Sequence, residues 1–178
     1  LLMKHKPAFL VGVPTLYEAL LKFDSDKLDL SFLKYVISGG DSLSLGLTRR
    51  INTFLLEHNS NCKIAQGYGM TESVAATCVA FKPKTNKEWS IGIPLPGNYF
   101  KIVKANSQEE ADIGEEGEIC VSGPTVMMGY LDNEKETNDV LQLHKDGRIW
   151  LHTGDLGYMD SDGVFFYKQR LKRMLISS

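Results

Sequence analysis

Leu33-Lys34-Tyr35-Val36-Ile37-Ser38-Gly39-Gly40-Asp41 reads as a short strand that ends in a glycine pair. Its neighbours on both sides settle what it belongs to. Downstream, Ser44 opens a helical stretch whose apolar positions include Leu47, Ile51, Phe54 and Leu55. Lys63 to Tyr68 is then a second strand-like run, and Val74 to Phe81 another. Upstream, Ala8 to Val13 is a continuous apolar run, the mark of a strand covered on both faces. Pro14 stands where a helix can begin, and Leu16, Ala19, Leu20 and Phe23 follow at helical spacing. Strand, helix, strand, helix, strand predicts an α/β layer with parallel strands and right-handed crossovers.

Beyond Lys82 the rhythm changes. Pro83 to Glu88 is polar and reads as a surface loop. The strands that follow are short and broken by Gly and Pro: Tyr99 to Lys104, Gly117 to Ser122, Trp150 to Thr153 and Val164 to Tyr167. Only Asn133 to Asn138 reads as helix. This pattern predicts a small, mostly antiparallel β subdomain, a sheet or distorted barrel. The expected organisation is an α/β subdomain over 1–85, a β subdomain over 86–169 and a hinge over 170–178.

The chain has 178 residues, 43% of them hydrophobic and 24% charged, with a net charge of −2. That composition suits a soluble globular protein. With no basic run, nucleic-acid binding has no electrostatic support. No apolar stretch approaches the ~20 residues needed to cross a bilayer. Three scattered cysteines, Cys62, Cys78 and Cys120, fit a reducing compartment, so a cytoplasmic location is expected. The four histidines, His5, His58, His144 and His152, share no metal spacing with them. His152 reads as packed or solvated. Met127 and Met128 read as core, with the lining of an acyl path as the alternative. Asp160-Ser161-Asp162-Gly163 looks like half a calcium loop, lacks the bidentate Glu, and reads as a hairpin turn. The first residue is not Met and no stop pattern closes the chain, which reads as excised from a longer polypeptide.

Two strand ends carry residues suited to chemistry, and strand ends are where open α/β sheets bind ligands. At Ser38-Gly39-Gly40-Asp41, paired glycines let a ligand lie on the backbone; a tight turn with Asp41 or Ser42 near a helix cap explains them equally well. At Gln66-Gly67-Tyr68-Gly69-Met70-Thr71-Glu72-Ser73, two glycines flank an aromatic ring, and a hydroxyl and a carboxylate follow. An aromatic plate, a phosphate donor and a cation ligand would make a nucleotide site. A capped turn with a core tyrosine is the alternative.

The second stretch resembles the tyrosine-glycine-x-threonine-glutamate motif of the adenylate-forming superfamily. Five further segments resemble that family's motifs, in order: Val13-Pro14-Thr15-Leu16-Tyr17, Ser38-Gly39-Gly40, Ser90 to Gly97, Gly117-Glu118-Ile119 with Gly129-Tyr130, and Trp150 to Gly157. The resemblance covers essentially the whole chain and implies a piece of the acyl-CoA synthetase fold. It implies ATP-dependent activation of a carboxylic acid, a medium- or long-chain fatty acid being the leading class, to an acyl-adenylate and then a thioester with coenzyme A. An amino-acid adenylation domain loading a carrier protein and a non-catalytic nucleotide-binding module are the alternatives. By resemblance, Tyr68 lies against adenine, with Gly69 beside it. Gly39 and Gly40 line the adenylate and acyl carbonyl, and Thr71 bonds the α-phosphate. Glu72 holds Mg²⁺, Asp155 accepts from the ribose hydroxyls, and Arg170 contacts ribose or phosphate. Thr71 and Glu72 are the expected catalytic residues and Lys172 the hinge residue. Gln169 departs from the family, which has glycine there. The family's phosphate loop would precede Leu1 and its mobile C-terminal domain would follow Ser178, so the 178 residues alone are expected to be inactive. Apolar ends at Leu1-Leu2-Met3 and Met174-Leu175-Ile176 are expected to favour self-association of such a piece.

Overall fold

In a computed structural model of the chain, residues 1–23, 28–104 and 107–171 are described. The apolar runs form three parallel strands, β1 (Phe9–Gly12), β2 (Tyr35–Ser38) and β3 (Ile64–Met70). β1 pairs with β2, Phe9 opposite Tyr35, and β2 with β3, Val36 opposite Ile64. A short α1 (Leu2–His5) precedes them. The helices between the strands begin as the sequence dictates. Pro14 takes the first turn of α2 (Pro14–Leu20), where its missing N–H costs nothing. Ser44, rather than Asp41 or Ser42, caps α3 (Leu45–Glu57), its side chain accepting from the Leu47 amide. The stripe Leu47, Ile51, Phe54 and Leu55 is buried as the spacing predicts, against Tyr17, Leu30 and Leu33. Full burial of a side chain such as Ile51 contributes about 1.5–3 kcal/mol. Tyr17 is fully enclosed and donates its hydroxyl to the Ile37 carbonyl at 2.6 Å.

At Met70 the sheet changes character. One 3-10 turn, Thr71–Ser73, reverses the chain into β4 (Ala75–Val79), antiparallel to β3. Then follow β5 (Ser90–Pro94), β6 (Tyr99–Val103), β7 (Gly117–Ser122), α4 (Glu134–Val140), β8 (Leu141–Leu143), β9 (Ile149–Met159) and β10 (Phe165–Arg170). The spatial order is β1-β2-β3-β4-β5-β10-β9-β7-β6, with β8 beside β9. Of the two forms expected for the second half, the sheet is the one found. The path is open and continuous with the parallel strands, and the described strands do not close into a barrel. A second buried cluster sits here: Cys78, Ile91, Ile102, Ile119, Val121 and Phe165.

Several details differ from the sequence reading. Ser90 to Pro94 is a strand that the sequence reading did not include, and it contains both a glycine and a proline. At Gly92, φ is +92° and a Cβ would meet the Val79 carbonyl carbon at 2.1 Å, so the glycine serves close backbone approach inside a strand. β8 was not anticipated, and β9 and β10 both run longer than their apolar residues suggest. Met128 is fully exposed rather than core. The Asp160–Gly163 turn does join β9 to β10, and the Lys87 ammonium bonds both Asp160 and Asp162, a side-chain cation at the acidic pair. The cysteines are free, Cys78 and Cys120 buried and Cys62 half-buried. No described helix is long and apolar enough to cross a membrane. Leu1 is almost fully exposed; Met174, Leu175, Ile176 and the hinge residue Lys172 lie outside the described residues.

Candidate nucleotide site

The turn after β2 and the strand β3 meet β9 and β10 at a cleft of about 260 Å³. Gly40, Ser42, Gln66, Tyr68, Asp155 and Arg170 are among its lining residues. Arg170 also borders a larger hollow of about 720 Å³, lined by Glu72, Glu118, Tyr130, His152 and Gly154 among others.

Tyr68 stands on β3 opposite Cys78 of β4. Its ring meets Phe100 edge-on at 6.2 Å, with Tyr167 tilted beside it at 6.4 Å. Its hydroxyl donates to Asp155 Oδ2 at 2.8 Å, across 87 residues of chain. Burial, and then the Asp155 charge, push the phenol well above its ordinary pKa, so it stays a donor. The flanking glycines have a packing reason of their own. A Cβ on Gly69 would lie 1.6 Å from the Ala75 carbonyl oxygen, where the β3–β4 register shifts, and one on Gly67 would press on Ile37.

Asp155 is 4% exposed. Its Oδ1 has no hydrogen-bond partner among the described residues; the nearest cation is Arg170 Nη1 at 3.6 Å, on a half-exposed side chain. Burial raises the Asp155 pKa, while the Tyr68 hydrogen bond and Arg170 oppose the rise. Arg170 reaches this position because β10 extends to pair it directly with Asp155. Gln169 sits in that extended strand, opposite Leu156 and outside the left-handed region, so glycine is not required there. The result is a buried oxygen, Asp155 Oδ1, that accepts no hydrogen bond among the described residues, at a cleft with an aromatic wall and a half-exposed cation. Paired donors such as vicinal hydroxyls satisfy such an oxygen.

The turn after β3 is strained. Val74 and Ala75 hold φ of +54° and +81°, rare for side chains with a Cβ and rarer for a β-branched one. Ser73 ties the turn together, its Oγ bonding both the Met70 amide and the Met70 carbonyl. Glu72 is fixed from the far side: its Oε1 accepts from the Tyr130 hydroxyl at 2.7 Å, and its carbonyl accepts from the Met127 amide at 2.8 Å. The Glu72 hydrogen bond takes the Tyr130 phenol up to about 12.

Tyr68, Gly69, Gly40, Asp155 and Arg170 therefore share one cleft, and Glu72 lies on the adjoining hollow with Arg170 between. Thr71 is exposed, its hydroxyl without a partner among the described residues. The Gly39 amide is already engaged by the Gly12 carbonyl. Sequence reasoning gave Tyr130 no role, and it missed a chain of polar groups that begins at the hollow beside the cleft. Glu118 Oε1 accepts from the Gly154 amide at 2.8 Å, and its Oε2 lies 2.7 Å from His152 Nδ1. His152 Nε2 lies 2.9 Å from His144 Nε2. Cys120 Sγ is 3.6 Å from His152 Nδ1, so Glu118, Cys120 and His152 cluster although their sequence spacing shows nothing. The available signal was Glu118 itself, a charge inside the apolar strand Gly117–Ser122.

A family model described as AMP-binding enzyme matches residues 1–131. The long-chain-fatty-acid–CoA ligase of Bacillus subtilis is 38% identical over 175 residues, 98% of this chain and 30% of that protein. The 4-coumarate–CoA ligase-like 2 of Arabidopsis thaliana is 34% identical over 175 residues, 96% of this chain and 30% of that protein. The crystal structure of a long-chain-fatty-acid–CoA ligase from Archaeoglobus fulgidus superposes with a TM-score of 0.86 at 26% identity, covering 99% of this chain and 38% of that one. The chain thus spans about a third of the length of the proteins it matches. With the ordered motifs, and with Gly40, Tyr68 and Asp155 meeting at one cleft, this match shows that the chain belongs to the AMP-binding enzyme family.

Proposed function

We propose that the chain forms the adenine- and ribose-facing wall of an ATP-dependent acid–thiol ligase. The observation that carries this is Asp155, a buried carboxylate at the cleft with one oxygen on Tyr68 and the other, 3.6 Å from Arg170, without a hydrogen-bond partner among the described residues. In this reading the Tyr68 ring lies against adenine. Asp155 accepts from the ribose hydroxyls, and Arg170 steadies ribose or phosphate. Gly39 and Gly40 leave room for the adenylate, and Thr71 donates to the α-phosphate.

The residues present fit a magnesium ion. Glu72 offers a single carboxylate on an open hollow, and Mg²⁺ is commonly held by one or two carboxylates together with substrate phosphate. When bound, the ion would offset the charge on the transferring phosphate. Tyr130 keeps Glu72 pointed there.

The reaction has two halves. A substrate carboxylate oxygen bonds to the α-phosphorus of ATP as the bond to pyrophosphate breaks. The coenzyme A thiolate then bonds to the acyl carbon and AMP leaves. The chain's share is positioning and charge complementarity. A fatty acid is the leading substrate class, and relatives named for 4-coumarate make hydroxycinnamates the natural comparison. The subdomain division at 85/86 and a hinge over 170–178 containing Lys172 belong to the same proposal. So does a location in the cytoplasm. The same proposal has the 178 residues alone inactive.

ATP–pyrophosphate exchange by the complete polypeptide, over a panel of fatty acids and hydroxycinnamates, tests this. Exchange that depends on a carboxylic acid and on magnesium is the expected result. Its absence with every acid, from a protein shown to be folded, refutes the reading.

A further inference from the structure

The segment that carries Asp155 is not plain strand. Cys120 lies opposite His152, whereas Glu118 lies opposite Leu156. Two steps along β7 therefore span four along β9, and Thr153, Gly154 and Asp155 form a bulge on that side. Bulges beside binding sites re-aim a side chain and leave amides without ladder partners. Here side chains replace the ladder. Thr153 Oγ1 accepts from the Asp155 amide at 3.1 Å and donates to the Ile119 carbonyl at 2.7 Å. Glu118 Oε1 accepts from the Gly154 amide at 2.8 Å, at a glycine whose φ is +71°.

Glu118 is itself held. With Glu118 ionised, His152 Nδ1–H donates to Oε2, and the remaining His152 nitrogen accepts from buried His144. The cluster thus ends on the backbone of the residue before Asp155.

We propose that Glu118 is a positioning residue for the nucleotide site. Its carboxylate stands in for the missing ladder acceptor, and the two histidines orient it. Asp155 is thereby kept with one oxygen on Tyr68 and the other without a hydrogen-bond donor among the described residues, and so available to a bound ribose; this rests on the reading of Asp155 as the ribose acceptor. Glu118 has no need to touch the nucleotide.

Two ligands separate the effects: AMP, and 2′,3′-dideoxy-AMP, which lacks the hydroxyls that Asp155 would receive. Affinities are measured calorimetrically on the complete polypeptide. Glu118→Ala should weaken AMP about ten-fold, the size of one lost hydrogen bond, and leave the dideoxy nucleotide unchanged. Glu118→Gln keeps a carbonyl oxygen for the Gly154 amide and should restore most of the affinity. Asp155→Ala should weaken AMP at least as much, and adding Glu118→Ala to it should cost nothing further, because both act through one contact. AMP binding unchanged in Glu118→Ala but weakened in Asp155→Ala overturns the proposal and leaves the ribose reading standing. So does a Glu118→Ala form that loses both nucleotides alike, since that marks a general structural residue. AMP binding unchanged in Asp155→Ala sinks the ribose reading itself, and the proposal with it.

Discussion

Asp155→Asn separates ligand binding from fold stability. Asn keeps a carbonyl oxygen where Asp155 Oδ2 accepts from Tyr68 at 2.8 Å, and it removes the charge. A hydrogen bond to a charged group contributes about 1.5–3 kcal/mol and a neutral one about 0.5–1.5. The difference, about 1–1.5 kcal/mol, is about a five- to twelve-fold loss of AMP affinity. Stability should move the other way. Burial raises the folded-state pKa of Asp155 above its ordinary 3.8, so the folded protein binds this proton more tightly than the unfolded chain does. The stabilisation from that proton is full below the ordinary carboxylate pKa and is lost as pH rises through the folded-state value. At neutral pH the charged form is the one the fold disfavours, and Asn removes it. The thermal midpoint of Asp155→Asn should therefore equal or exceed that of the parent while affinity falls, a trade common at binding sites. Calorimetric titration with AMP and a thermal melt on the same samples give both numbers. Unchanged affinity in the folded variant refutes the ribose role. A lower midpoint would show that Asp155 is there for the fold.

Glu72→Gln should raise the magnesium concentration needed for adenylation with little change in melting temperature, since Tyr130 keeps an acceptor; an unaltered magnesium dependence would count against the ion role. Gly69→Ala should disrupt the β3–β4 hairpin, because the new methyl would sit 1.6 Å from the Ala75 carbonyl oxygen; a variant with parental stability in urea titration would show that the hairpin yields there. Burial, with Lys101 next, lowers the His144 pKa below 6.5, so its contribution is full above 6.5 and lost as pH falls toward the folded-state value. Urea stability measured at pH 7.5 and 5.5 should fall, and fall less in His144→Asn; an equal fall in both proteins would clear His144 of that role.

The order of the parallel strands and their helices was legible because local rules and tertiary demands agree there, although β1, read as covered on both faces, leaves Phe9 and Val11 exposed. Ser44, Leu47, Ile51, Phe54 and Leu55 read as a capped amphipathic helix and are one. Ser90 to Pro94 shows where that agreement fails. Its glycine and proline carry a turn signature, yet the backbone of β4 presses on Gly92 so closely that no other residue fits the strand. Close approach between strands distant in sequence leaves no local mark. The length of β9 has the same cause. Its apolar residues suggest a strand of four, and pairing with β7, β8 and β10 together extends it to Met159.

The site divides along a similar line. Residues whose side chains face the cleft, Tyr68, Asp155 and Arg170, lie in motifs dense enough to be picked out one by one. The groups that hold the site in place are far in sequence from what they hold. Tyr130 is 58 residues from Glu72, and Glu118 is 36 from Gly154. The need for Glu118 arises only from a bulge between two strands, which periodicity cannot reveal because the bulge is a property of the pairing. One physical clue survives in the sequence. Burying a carboxylate beside Ile119, Cys120 and Val121 is costly unless it is paired, so a charge inside an apolar strand announces a partner without naming it. Here the partners are a histidine and the amide before Asp155, so the clue at Glu118 leads back to the cleft.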